Sequence, residues 1–199
     1  METRTEKPTE KRNRILRTAL LLFSMQGYHA TGINDILKQC GIPKGSFYNF
    51  FPEGKEQLAL EAMETSIDFR ETSIRELLAP FQDPVDAFQA RIDSVMERVT
   101  PPYNLEQPSP YFMMAHELSA VNDTLRDSCI RAYEVRKNIY RDKLLELGYE
   151  TEAAEKTAAT FQMMLNGATE MSVIRKDIGY LALLREQIPM LVLMYKKVG

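Results

Sequence analysis

The chain is poor in the residues from which covalent scaffolds and metal sites are built. Two cysteines, Cys40 and Cys129, stand among 199 residues, too few for a disulfide framework and without metal-site spacing. The two histidines, His29 and His116, lie far apart, and neither has a cysteine or carboxylate at ligand spacing. A glycine-rich phosphate loop, a Gly-x-Ser-x-Gly elbow and a His-Glu-x-x-His pair are all missing, which removes the common signatures of nucleotide, acyl-transfer and zinc-protease chemistry. Lys44-Gly45-Ser46 echoes only the end of a phosphate loop, and no strand precedes it. No apolar run approaches the roughly 20 residues of a membrane span, and Leu20–Phe23 is too short for the core of a signal peptide. Strand-like alternation is absent. The expectation is an all-α, soluble, cytoplasmic chain with no membrane partner, not an enzyme, with no catalytic residues, metal or cofactor.

What is present concentrates in residues 31–51. Ile33, Ile36, Leu37 and Cys40 recur at helical spacing and make one apolar stripe, on which Cys40 is a packing residue. Gly41 follows, where a helix commonly ends in a left-handed residue. Pro43 suits the start of a second helix, whose first N–H groups have no partner in any case. Phe47, Phe50 and Phe51 then repeat the i, i+3, i+4 pattern. Two short helices joined by a tight turn make a helix-turn-helix, whose second helix is shaped to enter the major groove of DNA. At about 100° per residue, Phe47 and Phe51 point one way while Gly45 and Asn49 point nearly opposite. Ser46 and Tyr48 flank that free face, and Lys44 lies in the first turn. Asn49 suits a bidentate bond to an adenine edge. Lys44, Ser46 and Tyr48 suit phosphate oxygens, which position a protein without reading sequence. An ordinary α-hairpin with a polar outer face is the competing reading of the pattern.

Charge agrees. The formal net charge is −3, yet residues 1–58 hold nine basic against six acidic side chains. A basic head on an acidic body turns the head toward nucleic acid.

Residues 14–63 resemble the DNA-binding domain of TetR-family transcriptional repressors. The residues that carry the resemblance are Arg14-Ile15-Leu16, Ala19, Leu22-Phe23, Gly27-Tyr28, Thr31, Ile33, Ile36, Gly41, Lys44-Gly45-Ser46-Phe47-Tyr48, Phe51 and Lys55-Glu56. The junction Pro52-Glu53-Gly54-Lys55-Glu56 is similar to a branch that includes regulators of drug-efflux genes. Gly32 stands where the family often has Ser or Thr, and Phe50 where it often has His or Tyr. The residues of the free face together with the resemblance give the expected DNA contacts: Thr31, Lys44, Gly45, Ser46, Tyr48, Asn49 and Lys55. It also implies a second body that binds a small effector and forms a homodimer.

Periodicity predicts about nine helices: a three-helix DNA-binding domain over residues 1–54 and a helical bundle over 55–199. The first helix spans about Thr9–Gln26, and a long one runs from Lys55 to Leu78, where Pro80 and Pro84 end it. Val85–Val99 carries another amphipathic stripe. Pro101, Pro102, Pro108 and Pro110 make a stiff loop. Tyr111–Leu118 reads as a short helix. Asn122 suits the cap of a helix to Leu147 and Thr151 the cap of one from Glu152 to Lys176, with a last helix over about Gly179–Lys196. Phe112, His116, Glu117, Phe161, Gln162 and Asn166 combine apolar surface with a few polar groups, as effector pockets do. The effector is expected to be a mostly apolar, aromatic or cationic molecule with Glu117 as counter-charge. Ala158, Leu165, Leu184, Ile188 and Leu191 are expected to face a partner chain, the alternative being that they close the monomer's own bundle. The functional expectation is a dimeric repressor on a pseudo-palindromic double-stranded operator, released by a small molecule. The alternative is an architectural helix-turn-helix protein without effector.

Overall fold

The computed structural model describes residues 7–100, 116–117 and 122–195. Among them are eight α-helices and no strand: α1 (Pro8–Gln26), α2 (Ile33–Cys40), α3 (Lys44–Phe50), α4 (Lys55–Leu78), α5 (Pro84–Val99), α6 (Asp123–Glu146), α7 (Thr151–Arg175) and α8 (Gly179–Met194). The predicted helix over 111–118 lies almost wholly outside the described residues. None of the described helices is long and apolar enough to cross a membrane.

Local chemistry sets the ends. At the start of α1, Pro8 occupies the first turn and Glu10 accepts the Lys7 N–H at 3.2 Å. Asp83 caps α5, accepting from the N–H groups of Val85 at 2.7 Å and Asp86 at 3.3 Å. Asn122 caps α6 through the Leu125 N–H at 3.0 Å, as the sequence predicts. Thr151 does not cap α7. It is the first helical residue, and the Glu150 carbonyl accepts the Ala154 N–H at 2.8 Å. Pro189 lies inside α8 and cannot donate to the Arg185 carbonyl one turn back. Gln89 of α5 fills that vacancy, its Nε2 donating to Arg185 O at 3.2 Å.

Contacts divide the described chain into two compact units. The first takes its residues from Met1–Ser66 and Pro108–Arg131, the second from Ile67–Gln107 and Ala132–Gly199. This differs from a boundary at 54/55. Gly54, at φ +83°, turns the chain between α3 and α4 without parting the units, because Leu58, Ala59, Ala62 and Met63 of α4 are buried in the first.

The second unit has a continuous apolar core from the end of α4 (Ile74, Leu78) and from α5, α6, α7 and α8. Phe88 and Phe161 stack at 4.2 Å, and Tyr140 meets Phe161 edge-on at 4.8 Å. Such pairs add about 0.5–1.5 kcal/mol beyond their buried area. Ala158, Leu165, Leu184, Ile188 and Leu191 all lie inside this core. Their burial is within the chain, so they present no surface to a partner. The large apolar side chains that α7 and α8 do expose are Met163, Met164, Ile174, Tyr180, Leu183, Met190, Leu193 and Met194.

Candidate nucleic-acid interface

The first unit builds α3 as an exposed helix on a buried aromatic keel. Phe47 and Phe51 are fully buried, with ring centroids 5.4 Å apart. Ile15, Leu16, Ala19 and Phe23 of α1 and Ile36, Leu37 and Cys40 of α2 complete that core. The turn between the two short helices is fixed by backbone geometry. Gly41 sits at φ +66° and its N–H reaches the Lys38 carbonyl at 3.3 Å, while the Ile42 N–H reaches the Leu37 carbonyl at 3.0 Å. A side chain at φ +66° would be strained, so glycine holds the angle between α2 and α3. Pro43 stands just before the first helical residue of α3, with extended backbone that leads into the helix.

Lys44, Gly45, Tyr48 and Asn49 are exposed on the side away from the keel, and Ser46 and Phe50 are half-buried. The Tyr48 ring lies edge-on to Phe47 at 5.1 Å. A cleft of about 190 Å³ runs beside this face, lined by Pro8, Lys11, Arg14, Ser46, Asn49 and Phe50 together with the 41–43 turn. Two cations of α1 thus stand beside the hydroxyl and carboxamide of α3. Sequence reasoning passed over Lys11 as a contact residue. The signal was available: Lys11 and Arg14 are three apart, on the face of α1 opposite Leu16 and Phe23.

Two predicted DNA contacts are used otherwise. Thr31 is fully buried, and its hydroxyl donates to the Gly27 carbonyl at 2.7 Å and the Leu22 carbonyl at 3.3 Å. It ties the 27–31 turn to the end of α1 and cannot reach a phosphate. Lys55 is half-buried, with its ammonium 4.2 Å from the Tyr28 ring centroid. Burial lowers its pKa from the ordinary lysine value, and Glu117 pulls the other way.

Glu117 also leaves its predicted role. One carboxylate oxygen accepts the His29 N–H at 3.1 Å, and the other occupies the space a Cβ at Gly27 would take, so a side chain there would displace the carboxylate. Gly27 also sits at φ +84°, a backbone conformation that favours glycine. Glu117 therefore belongs to the first unit, as a clamp on the end of α1. Phe161, Gln162 and Asn166 belong to the second. Phe161 is core, and Gln162 donates to Asn166 Oδ1 at 2.9 Å while its buried Oε1 has no hydrogen-bond partner among the described residues. His116 is exposed, and Phe112 lies outside the described residues. Of the expected effector residues that are described, His116 and Glu117 fall in the first unit and Phe161, Gln162 and Asn166 in the second.

Cys40 packs in the core of the first unit, as expected. Cys129 is buried, and burial pushes its thiol up to about 11, away from the thiolate that a redox sensor needs. No group of metal-ligating side chains occurs among the described residues.

An exposed polar helix on a rigid keel, with cations beside it, is equipped to contact both base edges and phosphates. Comparison with known proteins agrees. Residues 15–62 match the family described as bacterial regulatory proteins, tetR family. Residues 84–187 match the LmrA/YxaF-like C-terminal domain of transcriptional regulators. The HTH-type transcriptional regulator YxaF of Bacillus subtilis is 36% identical over 183 residues, 92% of this chain and 95% of that protein. LmrA, an HTH-type transcriptional regulator of the same organism, is 32% identical over 168 residues, 84% of this chain and 89% of its own length. Reduced NemR of E. coli shares the fold, with a TM-score of 0.80 at 18% identity over 89% of this chain and 94% of that one.

Proposed function

The chain belongs to the TetR family of bacterial transcriptional regulators, and on that premise we propose that it is a dimeric, ligand-responsive repressor of a pseudo-palindromic operator. The observation that carries the reading is the exposed face of α3. Asn49 stands at its centre as the base-reading group, and Gly45 allows close approach of the backbone. Lys44, Ser46 and Tyr48 take phosphate oxygens around it, and Lys11 and Arg14 add charge along the neighbouring cleft.

Two copies of α3 held about one helical turn of DNA apart read two half-sites. The exposed apolar residues of α7 and α8 supply the surface for the second copy. Leu183, Met190 and Met194 recur at i, i+7 and i+11 on α8, and Met163 and Ile174 at the same wide spacing on α7. An effector in the second unit acts by binding the DNA-free state more tightly than the DNA-bound one. Glu117, clamped on the backbone of Gly27 and His29, ties residues outside the helix-turn-helix to the end of α1.

Enrichment of duplexes from a random pool on the full-length protein tests this reading. The expected product is an inverted repeat whose two halves are bound by one dimer. Enrichment of no motif, with equal affinity for all duplexes, would favour an architectural protein instead.

A further inference from the structure

The second unit carries positive charge inside its fold. Arg91 and Arg98 lie two turns apart on α5 with Ser94 between them, and Arg136 and Tyr140 lie one turn apart on α6. Arg91 is 6% exposed and Arg136 8%. The Arg91 guanidinium bridges the two helices: its Nε donates to the Tyr140 hydroxyl at 3.0 Å and its Nη1 to Ser94 Oγ at 2.9 Å. Arg98 Nε donates to the Ser94 carbonyl at 3.2 Å. Arg136 Nε donates to the Ala132 carbonyl at 3.1 Å, and its guanidinium lies over the Tyr133 ring at 4.8 Å.

Among the described residues, neither Arg91 nor Arg98 meets a carboxylate. Other arginines of the same unit do. Arg185 grips both oxygens of Asp93 at 2.7 and 3.2 Å, and Arg75 pairs with Asp142 at 3.2 Å. A buried guanidinium held only by neutral acceptors is costly to keep charged, so such groups are ordinarily paired with an anion. Neighbouring cations sharpen the point. Arg98 keeps solvent contact, yet the protein around it, then Arg91 and Arg70, push it down to about 10, with Arg136 adding and Tyr140 opposing. The charge of Arg91, Arg70 and Arg136 is thus felt at Arg98, and Arg91 is bonded to Tyr140 of the aromatic trio Phe88, Tyr140 and Phe161.

We propose that this row is the recognition site for an organic anion, a small molecule with a carboxylate-type group on an apolar, aromatic body. The anion takes the remaining N–H donors of Arg91 and Arg98. Tyr140, whose oxygen already accepts from Arg91, has its O–H left to donate to the same group. The apolar body lies toward the aromatic side. The inference rests on the ligand-responsive reading above and replaces a cationic effector facing Glu117 with an anionic one facing arginines.

Matched probes with one ring system and different charge test it on the full-length protein: 1-naphthoate against 1-naphthalenemethanol, with decanoate as a second anion of different shape. Calorimetric titration of the wild type should show saturable binding of at least one anion and none of the neutral alcohol. Arg98→Gln should weaken that binding by about tenfold or more, since a charge-assisted hydrogen bond is lost. Arg98→Lys should recover part of it. Arg98 is exposed, so these variants should fold, and the helical signal and melting temperature check that they do. Equal binding of the alcohol, an Arg98→Gln protein that binds as tightly as the wild type, or no binding of either anion in the millimolar range would each overturn the site. Operator release is scored separately. Arg98-dependent anion binding that leaves the operator complex intact supports the site and counts against the effector reading alone.

Discussion

The two units use arginine and lysine in opposite ways. In the first, Lys11, Arg14 and Lys44 stand exposed or half-exposed around α3, where a polyanion can reach them. In the second, Arg91 and Arg136 are buried and their charge is felt by Arg98. An exposed cation costs little to keep charged and contributes long-range, salt-screened attraction, which suits the many phosphates of a duplex. A buried one is costly in isolation and strong at close range, which suits one small anion. The side-chain chemistry is shared, and burial decides which partner it serves.

The largest effect that breaks this comparison is expected at the keel of the first unit. Phe47 is fully buried beneath the reading face. Phe47→Ala should cost about 3–5 kcal/mol of stability. Chemical denaturation should show that loss, and operator binding should go with it, while the anion titration of the second unit is unaffected. Next comes assembly. Leu183→Glu with Met190→Glu places two charges on an exposed apolar stripe, so the chain should stay folded while sedimentation shows monomers and operator affinity falls by at least tenfold. An unchanged dimer would move the partner-facing surface elsewhere. The smallest effect is at Pro189. Gln89→Ala leaves the Arg185 carbonyl without its side-chain donor and should cost about 1 kcal/mol. Pro189→Ala restores a backbone donor to that carbonyl, so the double variant should lose less than the sum of the two single changes.

The reading head was legible because its signals are local. Gly41, Pro43 and the Phe47/Phe51 pair act within one or two turns, and the helix limits follow the sequence periodicity to within a residue or two. Several side chains are used in ways that only long-range information shows. An apolar stripe on α7 or α8 serves the chain's own core or a second chain equally well, and Ala158, Leu165, Leu184, Ile188 and Leu191 serve the core. Thr31 has a hydroxyl suited to phosphate or to a backbone carbonyl, and the carbonyls of Leu22 and Gly27 take it. Glu117 reads as a counter-charge on an apolar helix, but its partner is a backbone N–H 88 residues away. The same limit hid Arg91. Helical spacing puts it at the edge of the apolar stripe of α5, three residues after Phe88, but its partner Tyr140 lies 49 residues later.

The central claim is a division of labour in the first unit: Asn49 reads bases while the Lys11–Arg14 cleft holds phosphates. Affinity for the enriched operator and for a scrambled duplex, measured across a range of salt concentrations, tests it most directly. Asn49→Ala should weaken operator binding by about 1–3 kcal/mol. It should leave the scrambled duplex and the slope of log affinity against log salt unchanged. Lys11→Ala should weaken both duplexes alike and reduce that slope by about 1. If Asn49→Ala loses equally on both duplexes, and Lys11→Ala leaves the slope where it was, the assignment of reading to α3 and anchoring to the cleft is wrong.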